Sequence, residues 1–405
     1  MKEAPARTVA VVVIVAVAGG VGQGFGRFVF PVLLPAMKED LLESYGDAGF
    51  VGTANVGAYL LGALIVMALS VRVSGTTLIK AGLACSATGM IVLATAQGLP
   101  QLAVGMLFAG LGGAAIWVPA PGIVGATVRP TRRGAAIGLV NMGIGGGMVL
   151  GTFLARLARD WWGPDAWRWV WAIQGVIAFI AFGVALAVLR IADPAAPVAP
   201  PRLTALRHVP GWLPYTGSYF LFGFGYIIAI TYIVASLRDA GFGAAHAADV
   251  YALLGVGALF GGLLMGRVSD HLGRRQTMLL GYALTAACSL LLLTQREPYT
   301  AIASISFGVT FSGSVAVVAA YLADMARPGE FPPAFGAATV AFGAAQALGP
   351  QVGGELVDRT GDFTATFVLS AVTLGAAALL AAAMPRHPRP ESAVVAAPST
   401  VVDRL

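Results

Sequence analysis

Long apolar stretches alternate with short polar loops along the whole chain, and this pattern predicts membrane-spanning helices. About 20 apolar residues in an α-helix cross a bilayer. Twelve windows of this kind can be marked in the 405 residues. They cover residues 8–32, 48–71, 77–95, 102–128, 134–157, 170–189, 212–237, 247–265, 277–293, 302–325, 334–357 and 365–383.

A proline-rich stretch separates the first six windows from the last six. Pro194, Pro197, Pro200, Pro201 and Pro210 fall between them, a composition typical of an extended, semi-rigid linker. The predicted organisation is an N-terminal six-helix bundle (1–190), a cytoplasmic Pro-rich linker (191–211), a C-terminal six-helix bundle (212–385) and a cytoplasmic tail (386–405), for which we expect disorder.

The two sets of windows also resemble each other in sequence. Residues 24–26 and 223–225 are both Gly-Phe-Gly, at an offset of 199, and the Arg-Pro pair at 129–130 recurs at 327–328, at an offset of 198. A nearly constant offset between matching positions indicates an internal repeat. We therefore expect two pseudo-symmetric bundles of six helices each.

Composition excludes a soluble protein. The chain is 58% hydrophobic and 11% charged, against roughly 25% charged residues in ordinary soluble domains. The net charge of +6 comes from scattered Lys and Arg residues that form no run, so we expect no nucleic-acid partner. The expected fold class is an all-α polytopic membrane protein whose surroundings are the lipid bilayer.

Basic residues in the loops predict the orientation. If the amino terminus is cytoplasmic, that side carries 17 Lys and Arg residues and the opposite side carries 7. Short cytoplasmic loops are enriched in Lys and Arg. Both termini and the central linker are therefore predicted to be cytoplasmic.

Metal, cofactor and enzyme chemistry have no candidate groups. Cys85 and Cys288 both lie inside apolar windows, so neither a disulfide framework nor a thiolate metal site is expected. The histidines fall at window ends or in loops, without metal-ligand spacing or a nearby nucleophile. They are His208, His246, His271 and His387.

Arg27 is the one ionisable residue well inside a predicted span. An arginine in the membrane costs at least about 2.5 kcal/mol unless it faces a cavity or a partner. Counted at about 1.5 Å per residue, Arg27 lies roughly 28 Å from Thr8, which fits either the midplane or the outer mouth. It is predicted either to anchor an anionic substrate or to snorkel or pair near the periplasmic surface.

Further polar and aromatic residues of the spans could line a central cavity. Their amides and hydroxyls can orient a ligand while their rings bury it, although each is also able to bond a neighbouring helix. The candidate substrate-binding residues beside Arg27 are Gln23, Asn55, Tyr59, Trp117, Asn141, Tyr226, Tyr232 and Gln346.

The loop between the eighth and ninth windows carries the strongest motif. Gly266, Asp270, Gly273, Arg274 and Arg275 resemble the Gly-x-x-x-Asp-x-x-Gly-Arg-Arg signature of the major facilitator superfamily. Asp270 can pair with a base or a helix N-terminus across the cytoplasmic gap. We predict these five residues to be gating residues, together with Pro350, which can bend the eleventh helix.

Within this superfamily, residues 24–37 (GFGRFVFPVLLPAM) are similar to the first-helix signature of the YbfB/YjiJ-type branch. The resemblance implies a transporter that moves a small molecule by alternating access between its two halves. We also expect the protein to lie in the bacterial plasma (inner) membrane and to act as a monomer. The branch says little about the substrate.

We therefore expect secondary active or facilitative transport of a small organic solute, with a preference for an anion that rests on Arg27. Efflux of hydrophobic or drug-like compounds is the alternative, favoured by a large aromatic cavity and an Arg27 at the periplasmic surface. A membrane sensor or assembly factor without flux is the alternative from another class. No enzymatic activity, cofactor or metal is expected.

Overall fold

The structure, a computed structural model, describes residues 5–129, 133–163, 166–189 and 200–386. Every regular element among these residues is a helix. Linker residues 191–199 and tail residues 387–405 lie outside the described residues, so the expectation of a disordered tail stays a prediction.

Twelve long helices, α1 to α12, follow one another in the described chain and confirm the predicted fold class. α1 consists of Pro5–Gly19, Gly20–Phe28 and Phe30–Leu41, and α4 consists of Leu99–Trp117 and Ala120–Thr127. The others are α2 (Tyr45–Leu69), α3 (Gly75–Ala94), α5 (Arg133–Trp162), α6 (Trp167–Val188), α7 (Trp212–Asp239), α8 (Ala244–Leu272), α9 (Arg274–Leu292), α10 (Tyr299–Met325), α11 (Phe331–Thr360) and α12 (Thr364–Ala382).

Ten of these described helices are long and apolar enough to cross a membrane on composition alone. α9 and α11 do not meet that criterion. α9 opens with Arg274 and Arg275, which lower its mean hydropathy, and α11 is rich in Gly, Pro and polar residues. α11 packs against both α2 and α7, so protein rather than lipid covers much of its surface.

The helix contacts repeat from one half of the chain to the other. In the first half α4 packs against α2 and α3, and α6 packs against α3 and α1. In the second half α10 packs against α8 and α9, and α12 packs against α9 and α7. These pairs correspond helix by helix at a shift of six. The halves meet where α2 lies against α11, α5 against α8, and α1 against α7.

The middle of α1, Gly20–Phe28, is a π-helix. Glycine occupies every second position from Gly20 to Gly26, and without a Cβ it lets two backbones approach closely. A Cβ added at Gly24 would lie 2.6 Å from the Cα of Gly147 on α5. Short π-helical segments occur frequently at functional sites.

Part of the predicted linker is folded. The short helix Leu203–Arg207 buries Ala205 and Leu206, and the N–H of Arg202 donates to the carbonyl of Pro333 on α11 at 2.9 Å. This segment therefore holds the start of α11. The division of the chain at 191–211 stays a prediction, because the described residues include only its second part.

We expect Gly147→Ala to destabilise the protein. The new Cβ would meet the Cα atoms of Gly24 and Gly20 at 2.9 and 3.0 Å, and such overpacking costs typically about 1–3 kcal/mol. The apparent melting temperature in detergent should fall. Gly146→Ala is the matched control, because a Cβ there meets no described atom within 4 Å. Equal melting temperatures for the two variants would contradict the α1–α5 contact.

Candidate functional site

Arg27 lies inside the bundle, level with the middle of several helices. Its Nη2 donates a hydrogen bond to Oε1 of Gln346, and its Cζ lies 5.6 Å from the centroid of the Tyr59 ring. The two partners and Tyr226 each lie within one turn of the midpoint of their own helix. α1 is longer than a simple span and continues past Arg27 to Leu41, so the guanidinium is at mid-bundle rather than at the mouth.

Aromatic rings surround this guanidinium. Phe28 is a second ring within cation–π distance, with 5.2 Å from the Arg27 Cζ to its centroid. Tyr226 is buried and stacks on Phe311 at 5.3 Å. Arginine over an aromatic face gains about 0.5–2 kcal/mol. The rings therefore hold the charged group in an otherwise apolar interior.

Asn55 fixes the π-helical segment in place. Its Nδ2 donates to the carbonyls of Gly26 on α1, at 2.9 Å, and Met106 on α4, at 3.2 Å. Gln23, one turn before Arg27, donates to the carbonyl of Gly113 at 3.5 Å. Both amides thus use their hydrogens on backbone carbonyls, which positions Arg27 relative to α2 and α4.

A small cavity adjoins Arg27 between the two halves. Its volume is about 20 Å³, room for roughly one water molecule. The N-terminal half contributes Arg27 and Asn55, and the C-terminal half contributes Ile230, Thr231 and Pro350. An organic solute does not fit in this cavity, so the bundle is closed between Arg27 and the end that contains Leu41.

We call the end of the bundle that contains Leu41, Tyr45 and Asp358 the outer end, and the end with the 266–275 loop the inner end. At the outer end the carboxylate of Asp358 on α11 accepts from the N–H groups of Tyr45 and Gly46, at 2.9 and 2.6 Å. A carboxylate at the start of a helix is stabilised by the free N–H groups and by the helix dipole. The C-terminal half thereby caps α2.

Further contacts join the halves between the outer end and Arg27. The hydroxyl of Tyr251 on α8 donates to the carbonyl of Phe28 at 2.7 Å, and Thr53 on α2 donates to the carbonyl of Ala347 at 2.7 Å. Arg156 on α5 pairs with Asp249 on α8 at 2.5 Å. These contacts and the Asp358 cap form what we call the outer seam.

Toward the inner end α5 and α8 diverge. A Cβ on Gly145 would lie 2.9 Å from Leu259, whereas one on Gly138 or Gly266 would meet no described atom within 4 Å. Asn141 is exposed. The two halves are therefore in contact at the outer end and apart along this pair of helices at the inner end.

The five predicted gating residues of the 266–275 loop make contacts within the C-terminal half. Arg274 pairs with Asp270 at 2.6 Å and with Asp324 on α10 at 3.3 Å, and Arg275 donates to the carbonyl of Ala382. Gly273 has a φ of 92°, a backbone conformation that favours glycine. Among the described residues, Asp270 pairs with Arg274 of its own half and with no residue of the other half, and its predicted gating role stays a prediction.

Pro350, the sixth predicted gating residue, lies inside α11 at the contact with α2. Its carbonyl accepts from the Tyr232 hydroxyl at 2.6 Å, and a Cβ on Gly52 would lie 3.0 Å from its Cβ. A proline has no N–H for the carbonyl four residues before it, which here belongs to Gln346. The weakened turn of α11 is thus the one that bears the partner of Arg27.

The predicted substrate-binding residues fall into two groups. The structure brings Arg27 together with a set of neighbours around mid-bundle: Gln23, Asn55, Tyr59, Tyr226 and Gln346. The others lie apart: Tyr232 contacts Pro350 toward the outer end, Trp117 is partly exposed on α4, and Asn141 is exposed on α5.

Sequence reasoning missed two residues. Tyr251 is a polar aromatic residue within the eighth predicted window, the same signal that singled out Tyr226, so a complete scan of the spans would have included it. Asp358 follows the eleventh window, and its partner Gly46 is 312 residues away in the chain. No local pattern points to that contact.

The fold has counterparts among known proteins. A family described as "Uncharacterised MFS-type transporter YbfB" matches residues 20–382. The structure is similar to that of a bacterial homologue of the human lysosomal transporter Spinster in an inward-facing, unoccupied conformation, with a TM-score of 0.71 at 14% identity, covering 94% of this chain and 97% of that one.

Curated relatives are transporters as well. Monocarboxylate transporter 13 of Rattus norvegicus is 24% identical over 95% of this chain and 91% of its own length. Monocarboxylate transporter 11 of Homo sapiens is 26% identical over 87% of this chain and 78% of its own length. The uncharacterised transporter YceJ of Bacillus subtilis is 26% identical over 65% of this chain and 68% of its own length.

The helix arrangement and its relatives define a multi-pass membrane transporter of the major facilitator superfamily, not an enzyme, with a small-molecule substrate. Within that superfamily the chain belongs to the YbfB-type family. This confirms the resemblance read from residues 24–37.

We expect Asp358→Asn to loosen the outer seam. The variant keeps the shape of the side chain but loses the charge that strengthens its two backbone hydrogen bonds, a change worth about 1–2 kcal/mol, or roughly tenfold in population. Spin labels at Glu43→Cys and Ala240→Cys, in a Cys85→Ser, Cys288→Ser background, report the distance between the halves at this end.

The label distance should lengthen and broaden in Asp358→Asn. Asp362→Asn is the control, because the Asp362 side chain bonds Thr364 within its own half, at 2.7 Å. Identical distance distributions in Asp358→Asn and the parent protein would show that the cap does not hold the seam.

Proposed function

We propose that the protein carries a small organic monoanion, of the monocarboxylate class, across the plasma membrane by alternating access, with Arg27 binding the carboxylate. The observation that carries the proposal is the position of Arg27, at mid-bundle and between the halves, with no carboxylate partner among the described residues.

The hydrogen-bonding state of Arg27 supports a ligand. Nη2 of Arg27 donates to Gln346, whereas Nε of Arg27 is buried and has no hydrogen-bond partner among the described residues. A guanidinium presents its donors in a planar fork that fits a carboxylate with two parallel bonds. An arginine kept in a membrane interior in this state is most simply explained by cargo that completes its bonds.

The rings around Arg27 suit the apolar part of such a substrate. Phe28, Tyr59 and Tyr226 surround the cation, and ligand pockets combine apolar walls with a few polar groups that fix orientation. The monocarboxylate transporters among the relatives support the same substrate class.

Alternating access would require the outer seam to open and the inner ends to meet. Asp270, Arg274 and Arg275 are then proposed to form the inner latch, and the turn before Pro350 to bend. The orientation proposed from the loop charges makes the inner end cytoplasmic and places both termini in the cytoplasm. We further propose that the protein acts as a monomer.

Efflux of hydrophobic compounds was the alternative for a large aromatic cavity and an arginine at the outer surface. Arg27 is instead bonded to Gln346 at mid-bundle, away from the outer surface. This position favours binding of an anion over efflux of hydrophobic compounds.

Uptake and counterflow in proteoliposomes test this function. With a panel of lactate, pyruvate, benzoate, succinate and alanine, we expect flux of at least one monocarboxylate, reduced about 100-fold in Arg27→Ala because about 3 kcal/mol of charge-assisted binding is lost. Arg27→Lys should retain part of the flux, since the charge stays but the planar fork is lost.

Arg296→Ala, in an exposed loop, is the control and should transport as the parent protein does. If Arg27→Ala leaves every anion flux unchanged, or if only neutral alanine is moved, the anion proposal is wrong.

A further inference from the structure

Gln346 is neutral, and this leaves the charge of Arg27 unbalanced. We propose that Gln346 determines both the charge of the cargo and the mode of transport: one unbalanced positive charge selects a monoanion, and it makes exchange of one anion for another faster than net transport. This inference rests on the proposed function and adds the coupling to it.

The carboxylates of the described chain lie far from Arg27 or are paired elsewhere. Asp249 pairs with Arg156, Asp40 with Arg168 and Asp324 with Arg274. On α11 itself the nearest acidic residues after Gln346 are Glu355 and Asp358, nine and twelve positions further on. At about 1.5 Å per residue these lie roughly 13 and 18 Å along the helix.

The partners that Arg27 does have are dipoles. The Gln346 amide and the neighbouring tyrosines orient their oxygens or rings toward the cation, but they carry no net charge to cancel it. A bound monoanion makes the centre of the carrier neutral, whereas a dianion leaves it negative. The charge balance therefore favours a substrate with one carboxylate over a substrate with two.

The position of the pair makes this charge matter for movement. Arg27 is on α1 in the N-terminal half and Gln346 is on α11 in the C-terminal half, so the rocking of the halves takes place around them. Both ends are closed in the intermediate between inward-facing and outward-facing states, and water leaves the centre. A desolvated cation without a counterion is costly.

The cost falls on the empty carrier alone. With an anion bound, the guanidinium is neutralised before water leaves, and the halves can rock between the inward-facing and outward-facing states. Without an anion, the unpaired charge raises the free energy of the closed intermediate. The change of the empty protein from one state to the other is therefore slow. A ligand that lowers the energy of an intermediate selectively raises the rate through it.

Single-molecule distance measurements on the empty protein test the inference without a known substrate. Donor and acceptor dyes at Val71→Cys and Leu272→Cys, exposed positions on opposite halves at the inner end, follow opening and closing in carboxylate-free buffer, again with Cys85→Ser and Cys288→Ser. In the protein with Arg27 and Gln346 we expect rare transitions.

Gln346→Glu supplies the missing negative charge and should interconvert at least about tenfold faster, equivalent to about one pKa unit of interaction between the two groups. Gln346→Met is the matched control, because it removes the hydrogen bond and leaves the charge; it should stay slow. Arg27→Met removes the positive charge itself and should also interconvert fast. If one of Gln346→Glu and Arg27→Met does not fold, the other still tests the inference.

Equal rates in the parent protein, Gln346→Glu and Arg27→Met would overturn the inference. A Gln346→Met protein as fast as Gln346→Glu would also overturn it, because the hydrogen bond rather than the charge would then set the rate. In proteoliposomes, counterflow of the carried monocarboxylate should exceed its net uptake about tenfold. Absence of any anion flux would instead contradict the proposed function, which separates the two failures.

Discussion

A single positive charge at the centre of an apolar bundle is the constraint around which the rest of this structure is arranged. Arg27 has no carboxylate partner among the described residues and is held by an amide and by aromatic rings. Because an arginine in hydrocarbon is costly, the surroundings must fix it away from lipid. Asn55 does so indirectly, by tying the backbone next to Arg27 to α2 and α4.

Close packing of α1 against α5 also helps to fix Arg27 away from lipid. Glycine at alternate positions brings α1 against the backbone of α5, where Gly24 meets Gly147. Helices in a membrane gain little from burying apolar surface against each other, and they associate through such close contacts. This contact fixes the segment of α1 that carries Arg27 within the N-terminal half.

The contacts of the outer seam are a few hydrogen bonds and one exposed ion pair, and an exposed ion pair contributes little on its own. A seam of that kind can open while the halves stay intact.

Much of the architecture could be predicted from the chain, because hydropathy windows, a proline-rich break and a constant offset each report one physical requirement of a duplicated membrane bundle. The depth of Arg27 in the membrane could not be predicted from the sequence. Counting from Thr8 assumed a helix that ends at the membrane surface, whereas α1 runs on to Leu41, so the count alone fits two depths. Contacts across the halves were likewise out of reach: the Asp358 cap and the bond between Arg27 and Gln346 join residues more than 300 positions apart, and no periodicity encodes them.

The most direct test of the central claim is an experimental structure of the protein with a transported monocarboxylate bound. We predict the carboxylate oxygens within about 2.7–3.0 Å of the Arg27 guanidinium nitrogens, with Gln346 moved away from Nη2 or sharing the ligand. A substrate bound elsewhere in the bundle, or an Arg27 that remains bonded only to Gln346 while the substrate is bound, would contradict the account.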